Sequence, residues 1–367
     1  MIASRLLLQC RAGFEKECAQ EVTAAAAEMG VDGFVKARPD SGFAVFHAHQ
    51  DEMGAELAKH VEFRRLVFPR QMVRVPELLA ALPEADRVTP IVEAARGVGR
   101  RFSALWIELP DTNDGKSLAA LTRPLAPHLE EALARAGVAI DDAGAPERLH
   151  VFFVGGRACY VGVADPANSA RTPMGIVRLR MPGSSPSRST LKLAEAMVEF
   201  FDEREREKRF APGMTAVDLG ASPGGWTWQL VQRDMIVTAV DNGAIDARLL
   251  ETGQVRHRRD DGFHFRPPEP VDWMVCDMVE SPSRIARLAA QWVAQGWCRE
   301  TLFNLKLPMK KRWEEVLRCR GIVDEILGGG GYFLRMKQLY HDREEVTAHL
   351  ARRSRQPVQP APTPGDR

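Results

Sequence analysis

Two charged residues stand directly after apolar stretches that are typical of buried strands. Asp277 follows V-D-W-M-V-C, and Lys306 follows T-L-F-N-L. A lysine at the end of a buried strand is not a comfortable core residue, and the carboxyl ends of parallel strands meet at one edge of a sheet. We therefore expect both side chains to project into one crevice. A lysine acts there as a base only if its pKa falls well below the free value near 10.4, which burial and a second ammonium group both favour.

A glycine-rich turn upstream of these residues predicts a ligand-binding loop. Residues 216–227 read A-V-D-L-G-A-S-P-G-G-W-T, which indicates a buried strand, a tight turn and a helix start. Glycine lets the backbone approach a ligand, and the first turn of a helix offers free N–H groups. We expect the turn residues Ser222, Pro223, Gly224 and Gly225 to hold a nucleotide-like cofactor. The string is neither G-x-G-x-x-G nor a P-loop, and an ordinary strand–turn–helix corner is the alternative interpretation.

Acidic residues that follow the loop are candidates for holding an adenosine. Asp241 follows the strand-like I-V-T-A-V. It lies about twenty residues after the loop, where a carboxylate can accept hydrogen bonds from both ribose hydroxyls. A strand-end cap is the alternative role for this residue. In R-D-D-G-F, an acid followed by glycine suits a contact to the adenine amino group. Asp261 is favoured there, while Asp260 and a purely structural role stay open.

The composition is that of a globular protein without a global signature of nucleic-acid binding. Of the 367 residues, 45% are hydrophobic and 27% are charged, and the formal net charge is +1. Any RNA site must therefore be a local patch. The six cysteines are scattered, with no C-x-x-C and no nearby Cys/His cluster, which argues against a zinc site and a disulfide framework. We expect a cytoplasmic protein that binds no metal.

No sequence feature indicates a membrane or an obligate oligomer. No apolar run approaches the ~20 residues of a membrane span. No coiled-coil pattern or large apolar helix face demands a dimer. We therefore expect a monomer without a membrane segment.

The order of predicted elements divides the chain into five segments. Residues 1–55 read as a ferredoxin-like α+β unit, and residues 56–168 as a second α+β domain. Residues 169–189 form a basic linker rich in proline, glycine and serine. Strands and helices alternate over residues 190–353, which predicts a Rossmann-like, doubly wound α/β sheet. The Pro-rich residues 354–367 read as a disordered tail.

The sequence predicts where two helices begin and end or are interrupted. Residues 190–209 are predicted to form one long helix, because apolar residues recur along them at helical spacing. Residues 117–136 also have a helical pattern, but Pro124 and Pro127 should break or kink it.

The loop and a set of four charged residues together resemble a known class of enzyme. The string D-L-G-x-x-P-G-G-[WF] is similar to the S-adenosylmethionine loop of the RrmJ/fibrillarin class of ribose 2′-O-methyltransferases. That class carries a Lys–Asp–Lys–Glu tetrad in this chain order, and Lys192, Asp277, Lys306 and Glu345 match it. Glu344 is a neighbour that the pattern does not exclude. The resemblance implies S-adenosylmethionine as cofactor, a Rossmann-like methyltransferase domain and these four residues as the catalytic set.

The resemblance extends beyond the catalytic half to a bacterial family, ribosomal RNA large subunit methyltransferase M. It rests on L-Q-C-R-A-G-F-E-K-E-C, V-C-D-M-V-E and W-C-R-E-T-L-F-N-L-K-L-P-M-K-K-R. The family implies 2′-O-methylation of one cytidine in 23S rRNA and an RNA-binding THUMP region, which falls on residues 56–168. It also implies that Ser189 helps to hold the cofactor. The sequence pattern alone predicts Ser189 to be a helix N-cap.

The chemistry of these four side chains predicts a role for each of them. Lys306 activates the 2′-hydroxyl, or at least orients it, and Lys192 tunes Lys306. Asp277 and Glu345 hold the two lysines in place. In-line transfer from an activated methyl donor then needs mainly positioning.

Other functional classes share parts of this pattern. A non-enzymatic RNA-binding ribosome-assembly factor with a cofactor site is one alternative, and a 2′-O-methyltransferase of another RNA is a second. The complete tetrad argues against the first. A dehydrogenase would need G-x-G-x-x-G, which is absent. A cytosine-C5 methyltransferase would need a Pro-Cys nucleophile, whereas Cys276 lies inside a predicted strand. An adenine-N6 enzyme would need [DN]-P-P-[YF], but M-V-E follows Asp277.

Overall fold

The computed structural model describes residues 4–353, which fall into two compact units. Within the described residues, the first unit comprises the positions up to Arg180 together with Pro308–Trp313 and Met336–Val346. The second unit comprises Met181–Leu307, Glu314–Arg335 and the positions from Thr347 on. The tail expected at 354–367 lies outside the described residues.

A seven-stranded sheet organises the first unit, in the order β2-β3-β1-β4-β7-β6-β5. Its strands are β1 (Arg5–Gln9), β2 (Gly33–Ala37), β3 (Phe43–Ala48), β4 (Gln71–Val75), β5 (Leu105–Glu108), β6 (Arg148–Gly155) and β7 (Ala158–Ala164). Its helices are α1 (Glu15–Glu28), α2 (Asp51–His60), α3 (Val88–Val98) and α4 (Asn113–Arg135). Strand β1 pairs antiparallel with both β3 and β4, and β6 pairs antiparallel with β7. An α+β layer therefore forms this unit.

The helix α4 continues through both of its prolines, so a break at Pro124 or Pro127 is wrong, while the kink named with it stays a prediction. Both prolines are exposed, whereas Leu129 and Leu133 of the same helix are fully buried. A proline removes one backbone hydrogen bond, and water can satisfy the freed carbonyl on an exposed face. Burial of the apolar face then keeps the helix whole.

A second seven-stranded sheet organises the second unit, in the order β10-β9-β8-β11-β12-β14-β13. Its strands are β8 (Thr215–Leu219), β9 (Ile236–Val240), β10 (Val255–Arg258), β11 (Val271–Cys276), β12 (Cys298–Lys306), β13 (Tyr332–Lys337) and β14 (Glu345–Arg352). The helices that follow the first unit are α5 (Thr190–Phe200), α6 (Glu203–Arg209), α7 (Gly225–Val231), α8 (Ala247–Glu251), α9 (Pro282–Ala294) and α10 (Arg312–Leu327).

Five strands of this sheet, from β10 to β12, are parallel. After β8 the chain adds β9 and β10 on one side and then returns to add β11 and β12 on the other, which confirms the doubly wound, Rossmann-like prediction. Two side-chain contacts between β14 and β12 join Thr347 to Asn304 and His349 to Glu300. Residue numbers therefore rise along β14 as they fall along β12, so the two strands are antiparallel. In such a sheet ligands bind where the order reverses, outside the carboxyl ends of β8 and β11.

The long helix predicted over 190–209 is wrong, because the structure contains two helices there. α5 ends at Phe200, and Phe201 is extended, with φ −129° and ψ 141°. Asp202 then starts α6 through a capping box, in which its carboxylate accepts from the Glu205 N–H at 2.7 Å. The break turns the buried ring of Phe201 toward Trp273, 5.9 Å away between centroids. The end of α5 is therefore anchored in the core of the sheet.

Two kinds of structural feature are absent from residues 4–353. No helix in this range has both the length and the apolar character that crossing a membrane requires. Within the same range, no cluster of three His, Cys, Asp or Glu side chains could hold a metal ion.

Candidate active site

The glycine turn connects the end of β8 to the start of α7 in a conformation that favours glycine. Gly220 has φ +77° and Gly224 has φ +118°, both in the left-handed region. A Cβ atom at Gly220 would stand 2.5 Å from Cγ of Met278. Met278 follows Asp277, so the turn packs closely against the end of β11.

Ser189 packs against the other side of this turn. A Cβ atom at Gly225 would stand 2.3 Å from the Ser189 hydroxyl oxygen, and Trp226 Nε1 donates to the Ser189 carbonyl at 3.1 Å. Ser189 occupies the N-cap position of α5, but its side chain makes no capping hydrogen bond. Its hydroxyl lies 3.1 Å from that of Ser187 instead. The capping role that the sequence pattern predicted is therefore wrong, while the position beside the loop is compatible with cofactor binding.

Asp241 follows β9 and braces the turn through its carboxylate. One oxygen accepts from the Ser222 N–H at 3.0 Å, and the other accepts from the Gly243 N–H at 2.7 Å. A carboxylate has about four acceptor positions, so two are left after these bonds. The residue thus combines the strand-end role named as the alternative with spare capacity for a ligand.

An open cleft of about 390 Å³ lies beside the turn, at the carboxyl ends of β8, β9 and β11. Five of the predicted positions or their alternatives line it: Ser222, Asp241, Asp260, Asp261 and Asp277. The structure thus brings together acids that are separated by up to 36 positions in the chain (277 − 241). This is the side of the sheet where the topology places a ligand.

The two acids after β10 differ in how they are engaged. The Asp261 carboxylate accepts from the Phe263 N–H at 2.8 Å and contacts His264 Nδ1 at 2.7 Å. The backbone hydrogen bond from Phe263 lowers the pKa of Asp261, which keeps it ionised. Asp260 accepts from the Asp261 N–H at 2.8 Å. Both side chains line the cleft, so the choice between them stays open.

Asp277 holds two lysines at the same sheet edge. Lys192 Nζ, from the first turn of α5, lies 3.4 Å from both carboxylate oxygens of Asp277. Lys306 Nζ, at the end of β12, donates to Asp277 Oδ1. The three side chains are 15–19% exposed, so they are largely shielded but open to a ligand. One carboxylate therefore restrains two ammonium groups at a surface opening, which is suited to binding and orienting a hydroxyl group.

Asn304 is part of this arrangement, and the sequence analysis missed it. Its side-chain amide donates to Asp277 Oδ1 at 3.0 Å, and its carbonyl oxygen accepts from the Thr347 hydroxyl at 2.7 Å. Asn304 is fully buried within an apolar strand. A polar residue in such a run was the available signal, because a buried amide must find partners.

Glu345, the fourth predicted catalytic residue, begins β14 and belongs to the first unit. Its role in the tetrad stays a prediction. The neighbouring Glu344 accepts from Arg312 at 2.8 Å, also within the first unit.

Asp218, at the end of β8 in the glycine-loop string, has an unusual environment. It is 1% exposed, and one carboxylate oxygen accepts from the Thr227 hydroxyl at 2.7 Å. The other oxygen has no hydrogen-bond partner among the described residues. Burial raises the pKa of Asp218 to about 7, the Thr227 hydrogen bond opposes the rise, and Asp277 and Asp241 add to it. The sequence analysis gave this residue no role.

Cys276 is poorly suited to be a nucleophile. It is fully buried at the end of β11, and burial raises the pKa of its thiol to about 12. Because the thiolate is the reactive form, this environment argues against cytosine-C5 chemistry.

The fold and this site define a class. The second unit has a doubly wound sheet, a glycine turn at its switch point and two lysines at the same edge. Residues 186–348 match the profile of the FtsJ-like methyltransferases, and the enzyme is of that class. Two profiles match the first half: residues 3–73 match the RlmM ferredoxin-like domain, and residues 86–165 match the N-terminal region of ribosomal RNA large subunit methyltransferase M. The chain belongs to the family of ribosomal RNA large subunit methyltransferase M.

Full-length relatives support this assignment. The chain is 53% identical over 349 residues to ribosomal RNA large subunit methyltransferase M of Methylococcus capsulatus, covering 95% of this chain and 98% of the relative. It is 48% identical over 353 residues to the same-named protein of Erwinia tasmaniensis, covering 95% and 96%. The solved structure of TrmN from Thermus thermophilus covers 95% of this chain and 99% of its own, but a TM-score of 0.34 at 16% identity supports no argument about function.

Proposed function

We propose that this protein transfers a methyl group from S-adenosylmethionine to the ribose 2′-hydroxyl of a cytidine in 23S rRNA. The observation that carries the proposal is the pair of lysines on one carboxylate, Lys192 and Lys306 on Asp277, beside the cleft. The names of the relatives point to large-subunit ribosomal RNA. The 2′-position and the cytidine come from the family resemblance.

Residues around the cleft fit the cofactor. Two acceptor positions of Asp241 are left for ribose hydroxyls, and Asp261 or Asp260 can accept from the adenine amino group. Of the turn at 222–225, Ser222 lines the cleft. Ser189 contacts Gly225 and Trp226 beside it, and we expect Ser189 and the rest of the turn to contact the cofactor from that side. S-adenosylmethionine, when bound, would supply an electrophilic sulfonium methyl group.

Each charged residue then has one task. Lys306 removes or orients the proton of the 2′-hydroxyl. Lys192 lies 3.4 Å from the same carboxylate, so it adds a second positive charge beside Lys306. Asp277 fixes both ammonium groups. The family pattern gives Glu345 the task of balancing the second positive charge, and Glu344 stays the alternative.

A methyl-transfer assay on 23S rRNA transcribed in vitro tests this proposal. With tritiated methyl donor, the wild-type chain should label 2′-O-methylcytidine, identified after digestion to nucleosides. The label should also protect the adjacent phosphodiester from alkali, because the 2′-oxygen can no longer attack it. Lys306→Ala should lower the rate by about 100-fold or more, the usual worth of a positioned acid–base group. Lys208→Ala, which removes an exposed lysine of α6, is the matched control and should leave the rate unchanged.

The cofactor affinity of each variant is measured separately by calorimetry. Normal cofactor binding with full 2′-O-methylation by Lys306→Ala would overturn the role of Lys306. Labelling of a base rather than a ribose would overturn the reaction itself. Cofactor binding by the wild type without transfer to any ribosomal RNA would favour an assembly factor instead.

A further inference from the structure

A second cleft, of about 580 Å³, opens on the first sheet and is used by no part of the proposed reaction. It lies over β1, β2 and β3 and contains Phe34, which at 46% is the most exposed Phe, Trp or Tyr of residues 4–353. An adjacent glycine, Gly33, faces the other side of β2, since a Cβ atom there would stand 2.5 Å from the buried ring of Phe46. Phe34 therefore points away from the helix-covered core.

Phe34 stacks on His47 of the neighbouring strand. The two residues are direct partners in the β2–β3 register, and their rings lie 5.0 Å apart between centroids with an interplanar angle of 6°. Arg5 Nε donates to His47 Nδ1 at 3.1 Å, which fixes the ring. Burial, with help from Lys36 and Arg5, lowers the pKa of His47 to about 4. The imidazole is thus neutral near pH 7, and the pair forms a flat and uncharged aromatic surface.

The charges around this surface are of both signs. Lys36 Nζ lies 5.7 Å from the centre of the Phe34 ring, and Arg5 pairs with Glu77 at 2.6 Å. Asp51 lines the same cleft. Ammonium and guanidinium groups can contact phosphate oxygens, while carboxylates accept from the exocyclic amino groups of nucleobases. Such a balanced set is unfavourable for an acidic peptide but suits a neutral ring that carries amino groups and a nearby phosphate.

We propose that this cleft binds an unpaired nucleotide of an RNA, with its base stacked on Phe34. Proteins recognise single-stranded RNA by stacking unpaired bases on aromatic side chains beside cationic groups, and bases inside a duplex are not available for this. The cleft volume is within the ~300–1,000 Å³ of small-molecule sites. Most of its lining comes from the predicted segment 1–55, not from 56–168, where the resemblance implies RNA binding. Only the identity of the RNA as ribosomal rests on the proposed function.

Fluorescence anisotropy with the full chain tests the site. The probes are a fluorescein-labelled, unstructured 12-nucleotide RNA and the same strand in a perfect duplex. Phe34→Ala and Phe34→Leu should each weaken binding of the single strand by about fivefold to 100-fold, the worth of one stacked base. Phe34→Trp should retain binding, and the single strand should quench its emission. Lys36→Ala should weaken binding, whereas Lys16→Ala, an exposed lysine of α1, is the matched control for charge.

The outcomes separate this proposal from the proposed function. Unchanged affinity of Phe34→Ala overturns the site even if the chain methylates rRNA normally. Failure of the wild type to bind the single strand, or equal loss of single-strand and duplex binding in Phe34→Ala, also overturns it. A Phe34→Leu variant that binds the single strand like the wild type would overturn base stacking as the mode of contact. If Phe34→Ala loses RNA binding and the wild-type chain transfers no methyl group, the site is supported and only the proposed function is refuted.

Discussion

The buried carboxyl group of Asp218 makes the stability of the second unit depend on pH in an unusual direction. We predict that Asp218→Asn removes this dependence. The side chain is 1% exposed, and burial raises the pKa of Asp218 to about 7. In the unfolded chain an aspartate has a pKa of about 3.9. Asparagine keeps the shape and the oxygen that accepts from Thr227 but has no charge to bury.

The direction of this pH dependence follows from the number of protons that the folded and unfolded states bind. Between the two pKa values the folded state binds more protons than the unfolded state, so the free energy of unfolding falls as pH rises from about 4 to 7. A rise of about three in the pKa of Asp218 on folding lowers the free energy of unfolding of the wild type by ~1.5 kcal/mol at pH 5 and by ~4 kcal/mol at pH 8. The stability of Asp218→Asn relative to the wild type should therefore rise by ~2.5 kcal/mol between pH 5 and pH 8.

Urea unfolding followed by tryptophan fluorescence measures this difference at each pH. All other titrating groups are common to both proteins, so their contributions cancel. Thr227→Val is the matched second variant: it removes the hydrogen bond that lowers the pKa of Asp218, so the loss of stability should extend to higher pH. If the wild type and Asp218→Asn lose or gain stability in parallel across this range, then Asp218 is not buried in the way described.

Two further predictions concern the reaction site. Asn304→Leu removes the amide that donates to Asp277. This variant should lower kcat by about tenfold and move the pH–rate profile, while the cofactor affinity stays unchanged. An unchanged pH–rate profile would show that Asn304 contributes only to packing. Gly220→Ala and Gly213→Ala impose similar strain, at φ +77° and +78°, but only the first would place a Cβ atom 2.5 Å from Met278. Calorimetry should therefore show weaker cofactor binding for Gly220→Ala alone, and equal affinities for the two variants would contradict the contact.

Features set by local sequence were predictable. The glycine turn was predictable, because the positive φ values at Gly220 and Gly224 favour glycine. An apolar run also marks the strand before the turn. The meeting of Asp277 and Lys306 followed from one topological rule, that the carboxyl ends of parallel strands share an edge. The break before Asp202 also has a local signal that the prediction did not use: D-E-R-E is a capping-box pattern, and the helical spacing of apolar residues ends at Phe201.

Features set by remote contacts were not predictable. The amide of Asn304 is satisfied by a hydroxyl 43 positions away, and nothing near Asn304 in the chain indicates that partner. The raised pKa of Asp218 depends on burial by the assembled sheet. The stack of Phe34 on His47 depends on strand register, which a single chain pattern does not specify. Pro124 and Pro127 are tolerated because of exposure, which sequence spacing alone does not give.

The length of helix α5 sets the distance between Lys192 and the anchored ring of Phe201. Lys192 lies in its first turn, and the helix ends at Phe200, just before the anchored ring of Phe201. Phe200 lies eight positions after Lys192 along the helix, a rise of ~12 Å. One inserted or deleted residue would rotate Lys192 by about 100° around the helix axis and shift it by ~1.5 Å relative to that anchor. The stretch between the two should therefore accept many substitutions on its exposed side, but no change in its length.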